Sequence, residues 1–319
     1  MLEIPHTELG YYIGARARFA LRYFVRLLRT HPVYAAGYVI VAVVTIFALA
    51  APLIAPYSPV TADPSAYLLP PGFSHWLGTD VTGMDVLSRV IFAPRADLVI
   101  ALVGTGISAS IGTLLGALVG YHQDRRGVAR FISGTIMRSA DVLQAFPVFV
   151  FAIAVVAVFG QSITSVVLAI AFVNTPIYLR LMRAQVLSIR RLRYVEAAYV
   201  AGLSDSYIIK RHIVPNAMGP VLAQLSVNIG WSILLTAGLS FIGAGVRAPT
   251  PEWGSMIASG FPTVMTGQWW PSLFPGLALA LALTVYGFAA IGASIEFMAD
   301  PRRRRSLANV ERPSSVPQE

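Results

Sequence analysis

The sequence predicts an all-α integral membrane protein with six transmembrane helices and both termini in the cytoplasm. Three observations lead there. Of its 319 residues, 56% are hydrophobic and 12% charged, whereas soluble domains carry about 25% charged residues. A soluble core of that composition would leave too much apolar surface in water. Several uncharged stretches are long enough to cross a bilayer. Finally, 21 of the 24 Lys and Arg residues fall in alternate connections, leaving only Arg89, Arg95 and Arg247 in the others. That bias places the basic connections and both ends inside. The net charge of +9 is therefore a topology signal rather than a footprint for nucleic acid. With no cysteine, disulfides and cysteine-ligated metals are excluded.

Taken in order, residues 1–31 form a basic amphipathic leader in which Arg16, Arg18, Arg22, Arg26 and Arg29 alternate with apolar residues. The spacing suits a helix on an anionic membrane face. Residues 32–56 hold the first span, about Val33 to Ala55, and residues 57–95 an extracytoplasmic segment. A core of five further spans occupies 96–298, and 299–319 form a basic cytoplasmic tail whose last residues, 306–319, read as disordered. Span two, about Leu98 to Tyr121, carries Gly112, Gly116 and Gly120 at every fourth position, a stripe that lets another helix approach closely.

Span three, about Val142 to Phe159, contains Pro147. Asp141 at its edge lies one turn beyond Arg138, a spacing suited to an ion pair. Span four runs from about Ser162 to Leu179, and span five lies within Ala217 to Val246. In the latter, Gln224, Asn228, Ser232 and Thr236 form one slowly drifting polar stripe. Two readings stay open: the stripe lines a hydrated translocation path, or it hydrogen-bonds neighbouring helices. Span six is about Pro271 to Ile295, and Trp253, Trp269 and Trp270 suit the membrane interface.

Between spans four and five lies a polar island, Tyr194 to Asn216, within the loop 190–216. Arg193, Glu196, Asp205, Lys210 and Arg211 oppose insertion by about 12–17 kcal/mol at roughly 2.5–3.5 kcal/mol per central charge. The apolar residues there return only about 1.5–3 kcal/mol, so the island stays in water. Glu196-Ala197-Ala198 favours helix, and Gly202 suits the turn that ends it. Ser204 can cap a second helix, with Asp205 in its first turn and Lys210, Arg211 and His212 in its last. Pro215 is expected to stop that helix. The pattern is a rigid elbow.

Glu196-Ala197-Ala198, Gly202 and Ile213-Val214-Pro215-Asn216 resemble the cytoplasmic "EAA" loop of binding-protein-dependent ABC importer permeases. Other runs narrow the resemblance to the C-type subunit of the dipeptide/oligopeptide family: His75 to Asp80, Gly83 to Arg89, Asp141 to Pro147, Pro249 to Gly254, Phe274-Pro275-Gly276 and Asp300-Pro301-Arg302. Met84 stands where relatives carry Arg, and Thr236 where they often carry Glu. The resemblance implies an ABC type I importer permease fold in the bacterial inner membrane. It also implies a heterodimer with a homologous permease, two ATP-binding subunits and an external solute-binding protein. By the same resemblance Glu196, Ala197, Ala198 and Gly202 make the coupling contact. Asp205 through Arg211, including Lys210, form the docked surface, with Pro215 and Asn216 closing the motif.

The chain has no G-x-x-x-x-G-K-[ST] phosphate loop, no His-Glu-x-x-His and no Gly-x-Ser-x-Gly. Its five histidines lack metal-ligand spacing. No cofactor or metal is expected in this chain, ATP being bound by partners, and catalysis by the chain alone is not expected. The rival reading is a self-sufficient secondary transporter or channel, with the elbow as a mere linker. That class needs ionisable residues inside the membrane, and spans two to six show none well inside. An intramembrane enzyme is disfavoured by the missing motifs.

Overall fold

The computed structural model describes residues 24–124, 126–280 and 283–299. The tail from Asp300 and nearly all of the leader lie outside them, with only residues 24–30 seen, as a helical turn leading to the first span. That span is α1 (Pro32–Ile54), started by Pro32 at a position where its missing N–H is no loss. Among the described residues there is no β-sheet, only an isolated bridge between Thr79 and Asp85.

The next helix, α2 (Val86–His122), is 37 residues long and begins twelve residues before the apolar run of span two. Asp85 sets that start: its side chain accepts the Ser88 N–H at 2.8 Å as an N-cap. The same carboxylate holds His75 Nδ1 at 2.9 Å. Arg89, on the first turns of α2, is buried and pairs with Asp80 at 3.4 Å. It also donates to the Pro59 and Pro249 carbonyls and touches the Met84 sulfur. The segment that precedes α2 is thus knotted onto its N-terminal end, and Met84 packs inside it as a neutral member.

Helices α3 (Val128–Ala145) and α4 (Val148–Phe159) meet at a 95° bend, so span three is not one straight helix. Pro147 is the cause: it drives Phe146 into extended backbone, φ −79°, ψ 136°. Asp141 pairs with Arg180 of α5 (Ile163–Ile189) at 3.6 Å, not with Arg138 as its spacing suggested. α5 packs most extensively on α2, and the glycine stripe is the reason. A Cβ on Gly112 would stand 2.6 Å from the Thr175 carbonyl, and one on Gly116 2.4 Å from that of Leu179. No side chain fits there.

After the elbow come α8 (Val214–Phe241), α9 (Trp253–Val264), α10 (Trp270–Ala280) and α11 (Leu283–Ala299). Among the described residues four helical runs are long and apolar enough to cross a membrane, or five if α3 and α4 count as one bent span. The sixth expected span falls on α10 and α11, on either side of residues 281–282, which lie outside the described set. Of the three tryptophans expected at the interface, Trp253 and Trp270 are buried in the core with Val86, Ile233 and Met256, and Trp269 is exposed. The first two are packing residues rather than members of an interfacial belt, and Trp270 donates its indole N–H to the Thr79 carbonyl at 3.0 Å.

Candidate functional site

The elbow begins with α6 (Arg193–Val200). Its end is closed by two backbone bonds, Gly202 N–H to the Tyr199 carbonyl at 3.0 Å and Leu203 N–H to that of Ala198 at 3.2 Å. These are the two bonds of a Schellman motif, which needs a left-handed residue at the corner. Gly202 supplies it with φ +75°. No atom lies within 4 Å of where its Cβ would be, so backbone conformation, not crowding, demands glycine here.

The second half departs from expectation. α7 (Asp205–Ile208) starts after Ser204, whose side chain makes no capping bond. Pro215 does not stop it. A π-helical turn, Ile209–Ile213, carries the helix on, and Pro215 sits in the first turn of α8. The wider turn lets the chain pass a residue that has no N–H to donate. Lys210, Arg211 and His212 therefore lie inside a continuous run rather than at a helix C-terminus, and the dipole argument for them fails. The His212 carbonyl is instead held by Asn216 Nδ2 at 2.6 Å.

The elbow is bolted to the C-terminal end of α2. Asp205 accepts the Tyr121 hydroxyl at 2.6 Å, and Tyr121 stacks on Tyr199 with ring centres 6.2 Å apart. Just before the elbow, Arg190 donates to the carbonyls of Gly120 and Tyr121 and pairs with Asp124. Val195, Ala198, Ile208 and Ile213 are buried against Tyr178, Met182 and Val186. Tyr121 and Arg190 were not singled out by the sequence, since a tyrosine and an arginine at the inner end of a span are ordinary there.

What the elbow leaves outside is as definite. Glu196, Ala197, Gly202, Lys210, Arg211, Pro215 and Asn216 are exposed, Asp205 is half-buried by its bond, and Ala198 faces inward. Around Gly202 the apolar side chains of Tyr199, Val200, Leu203 and Tyr207 also stand in the open, Val200 at 90%. Lys210 borders an apolar groove of about 590 Å³ between α2 and α8, with Thr113 and Met218.

Residues 112–305 match the family described as binding-protein-dependent transport system inner membrane component. Residues 20–71 match the N-terminal TM domain of oligopeptide transport permease C. The probable D,D-dipeptide transport system permease protein DdpC of Escherichia coli (strain K12) is 37% identical over 90% of this chain and 93% of its own length. The chain belongs to the binding-protein-dependent inner-membrane component family. The dipeptide permease DppC of Alkalihalophilus pseudofirmus is 35% identical over 84% of this chain and 85% of its own length. The glutathione permease GsiD of Pectobacterium atrosepticum is 35% identical over 87% and 89%. Among solved structures, an inward-facing MetNI methionine ABC transporter aligns with 65% of this chain and 96% of its own at 13% identity, TM-score 0.49.

In this inner-membrane component the polar stripe of α8 points into the helix bundle. Asn228, Ser232 and Thr236 are buried and Gln224 half-buried. Ser232 meets Thr105 of α2 at 3.0 Å and Asn174 of α5 at 3.3 Å. Gln224 donates to Asn228 at 2.8 Å, and Thr236 turns back to the Ser232 carbonyl. Two acids that the sequence reading did not single out lie just beyond the apolar runs. Asp97 of α2 and Glu252, the N-cap of α9, are both buried. Asp97 falls one residue before the apolar run and Glu252 in a proline-rich connection, so neither interrupts the hydropathy that marks a span.

Proposed function

We propose that this chain is one half of the membrane pore of an ATP-driven importer for di- or oligopeptides or similar small solutes. A homologous permease supplies the other half, an external binding protein delivers the solute, and two ATPase subunits grip the elbows from the cytoplasm. The relatives named for dipeptides, D,D-dipeptides and glutathione support the substrate class. The observation that carries the mechanism is the double attachment of the elbow to α2 through Tyr121–Asp205 and Arg190. Because the elbow also continues into α5 on one side and α8 on the other, a push on its tip is passed to three spans as one rigid body. The tip itself, Glu196, Ala197 and Gly202 among exposed apolar side chains, is the surface the ATPase holds. Ala198 stiffens it from beneath. The α8 stripe binds helices together rather than lining the path.

Gly202→Asp tests the coupling. Aspartate tolerates left-handed backbone better than most residues, so the corner survives while a charge enters the docking surface. In the assembled transporter, reconstituted with its binding protein, uptake should be abolished while membrane insertion stays normal. Normal uptake by that variant would remove the elbow from the mechanism.

A further inference from the structure

Asp97 and Glu252 are 1% and 0% exposed, and their carboxyl groups face each other where α2 meets the N-terminus of α9. Their surroundings are apolar: Ala93, Leu98, Ala101, Ile233, Trp253 and Met256 form one packed cluster there. Neither Asp97 oxygen accepts a well-formed hydrogen bond. The polar groups facing it are the Glu252 carboxyl and the Trp253 backbone N–H. Glu252, in contrast, accepts the Gly254 N–H at 2.7 Å and the Ser255 N–H at 2.8 Å. The start of α9 is seated close on α8: a Cβ on Gly254 would lie 2.3 Å from the Ala237 carbonyl.

Among the described residues no lysine, arginine or histidine acts on either carboxyl. Arg89 on α2 is committed to Asp80, Arg95 lies over the Phe92 ring, and Arg247 in the preceding loop is exposed. Two ionised carboxylates pressed together without a counter-charge repel strongly, whereas one proton between them makes a short charge-assisted bond.

We infer that Asp97 and Glu252 form a proton-binding site, a carboxylic acid donating to a carboxylate, that clasps the outer end of α2 to the start of α9. Asp97 is the donor, since the Glu252 oxygens already accept backbone N–H groups. Binding adds one proton to one carboxylate oxygen, and no other group changes. Burial also pushes the Glu252 carboxyl above its ordinary value of 4.5. The folded clasp therefore keeps a proton that the unfolded chain releases, so its contribution to stability is full at acid pH and declines as pH rises through the carboxyl range.

The full chain in nanodiscs provides the test. Infrared spectra at neutral pH should show the carbonyl stretch of a protonated carboxyl, and Asp97→Asn should remove it. An absent band in the wild type, or one that survives the substitution, overturns the inference without any need for the variant to be stable. In thermal unfolding, the wild-type midpoint should fall as pH rises from acid to mildly alkaline, by about 2–4 °C or more. Asp97→Asn, which donates from its amide at any pH, should lack most of that fall. An unchanged slope in the variant would contradict the proton. Restoration of the alkaline midpoint by calcium chloride in the wild type alone would show the site to be one for a metal cation instead.

Discussion

The elbow and the opposite end of the molecule solve opposite problems. The elbow buries only an inner row, Val195, Ala198, Ile208 and Ile213, and leaves Val200 and its neighbours bare. The opposite end, from Thr79 through α9 and α10, buries a set of polar and charged groups, Thr79, Asp85, Arg89, Asp97 and Glu252. An element that must be gripped keeps its surface unfinished, while one that must hold its own shape turns its polar groups inward. Substitutions at the opposite end should therefore act on folding, and those at the elbow on coupling.

Two glycines make the contrast sharp. At Gly254 an added methyl meets the Ala237 backbone at 2.3 Å, and backbone cannot yield as a flexible side chain does. Gly254→Ala should destabilise by about 1–3 kcal/mol, read as a lower unfolding midpoint and less inserted protein. At Gly202 the methyl meets nothing, and only φ +75° opposes it. Gly202→Ala should cost on the order of 1–2 kcal/mol confined to the corner, leaving expression unchanged while the rate of ATP-dependent uptake falls. Equal losses of inserted protein in both variants would erase the distinction between the two regions.

Tyr121→Phe probes the bolt rather than the tip. It keeps the ring on Tyr199 but removes the hydroxyl that Asp205 accepts. A hydrogen bond to a charged group is worth about 1.5–3 kcal/mol, and here the lower end applies because Asp205 is only half-buried. ATPase activity stimulated by the binding protein should persist with less solute moved per ATP. A variant that transports with wild-type stoichiometry would show that the Tyr121 hydroxyl is not needed for coupling, leaving Arg190 as the tie to α2.

How much of this was legible in the sequence depends on the range of the forces involved. The first span and the corner at Gly202 are governed by local chemistry, namely uncharged length and a left-handed residue after a helix, and they stand where expected. The glycine stripe of α2 was also readable as a packing face, because close approach needs small residues in a fixed row. Pro215 misled because a proline can be passed by widening the preceding turn, and nothing in one chain's letters announces a π turn. Asp141 misled for another reason. Its local partner Arg138 lost to Arg180, brought in by the packing of α3 on α5. The Asp97–Glu252 pair joins positions 155 residues apart, so only the fold brings them together.

The smallest expected effect lies midway between the two regions, at the crossing of α2, α5 and α8. Thr105, Ser232 and Asn174 meet there, with Asn174 Oδ1 buried and unbonded. Interhelical hydrogen bonds in membranes average about 0.6 kcal/mol, because the alternative partners within the helix are good ones. Ser232→Ala should accordingly shift the unfolding midpoint by a degree or two at most, on the order of 0.6 kcal/mol, and leave uptake close to normal. If the hydroxyls instead lined the path of a polar solute, the same substitution would change the uptake rate or the choice of peptide without touching stability. A parallel measurement of midpoint and uptake in Ser232→Ala separates the two roles, and a buried hydroxyl engaged by two neighbouring helices points to the first.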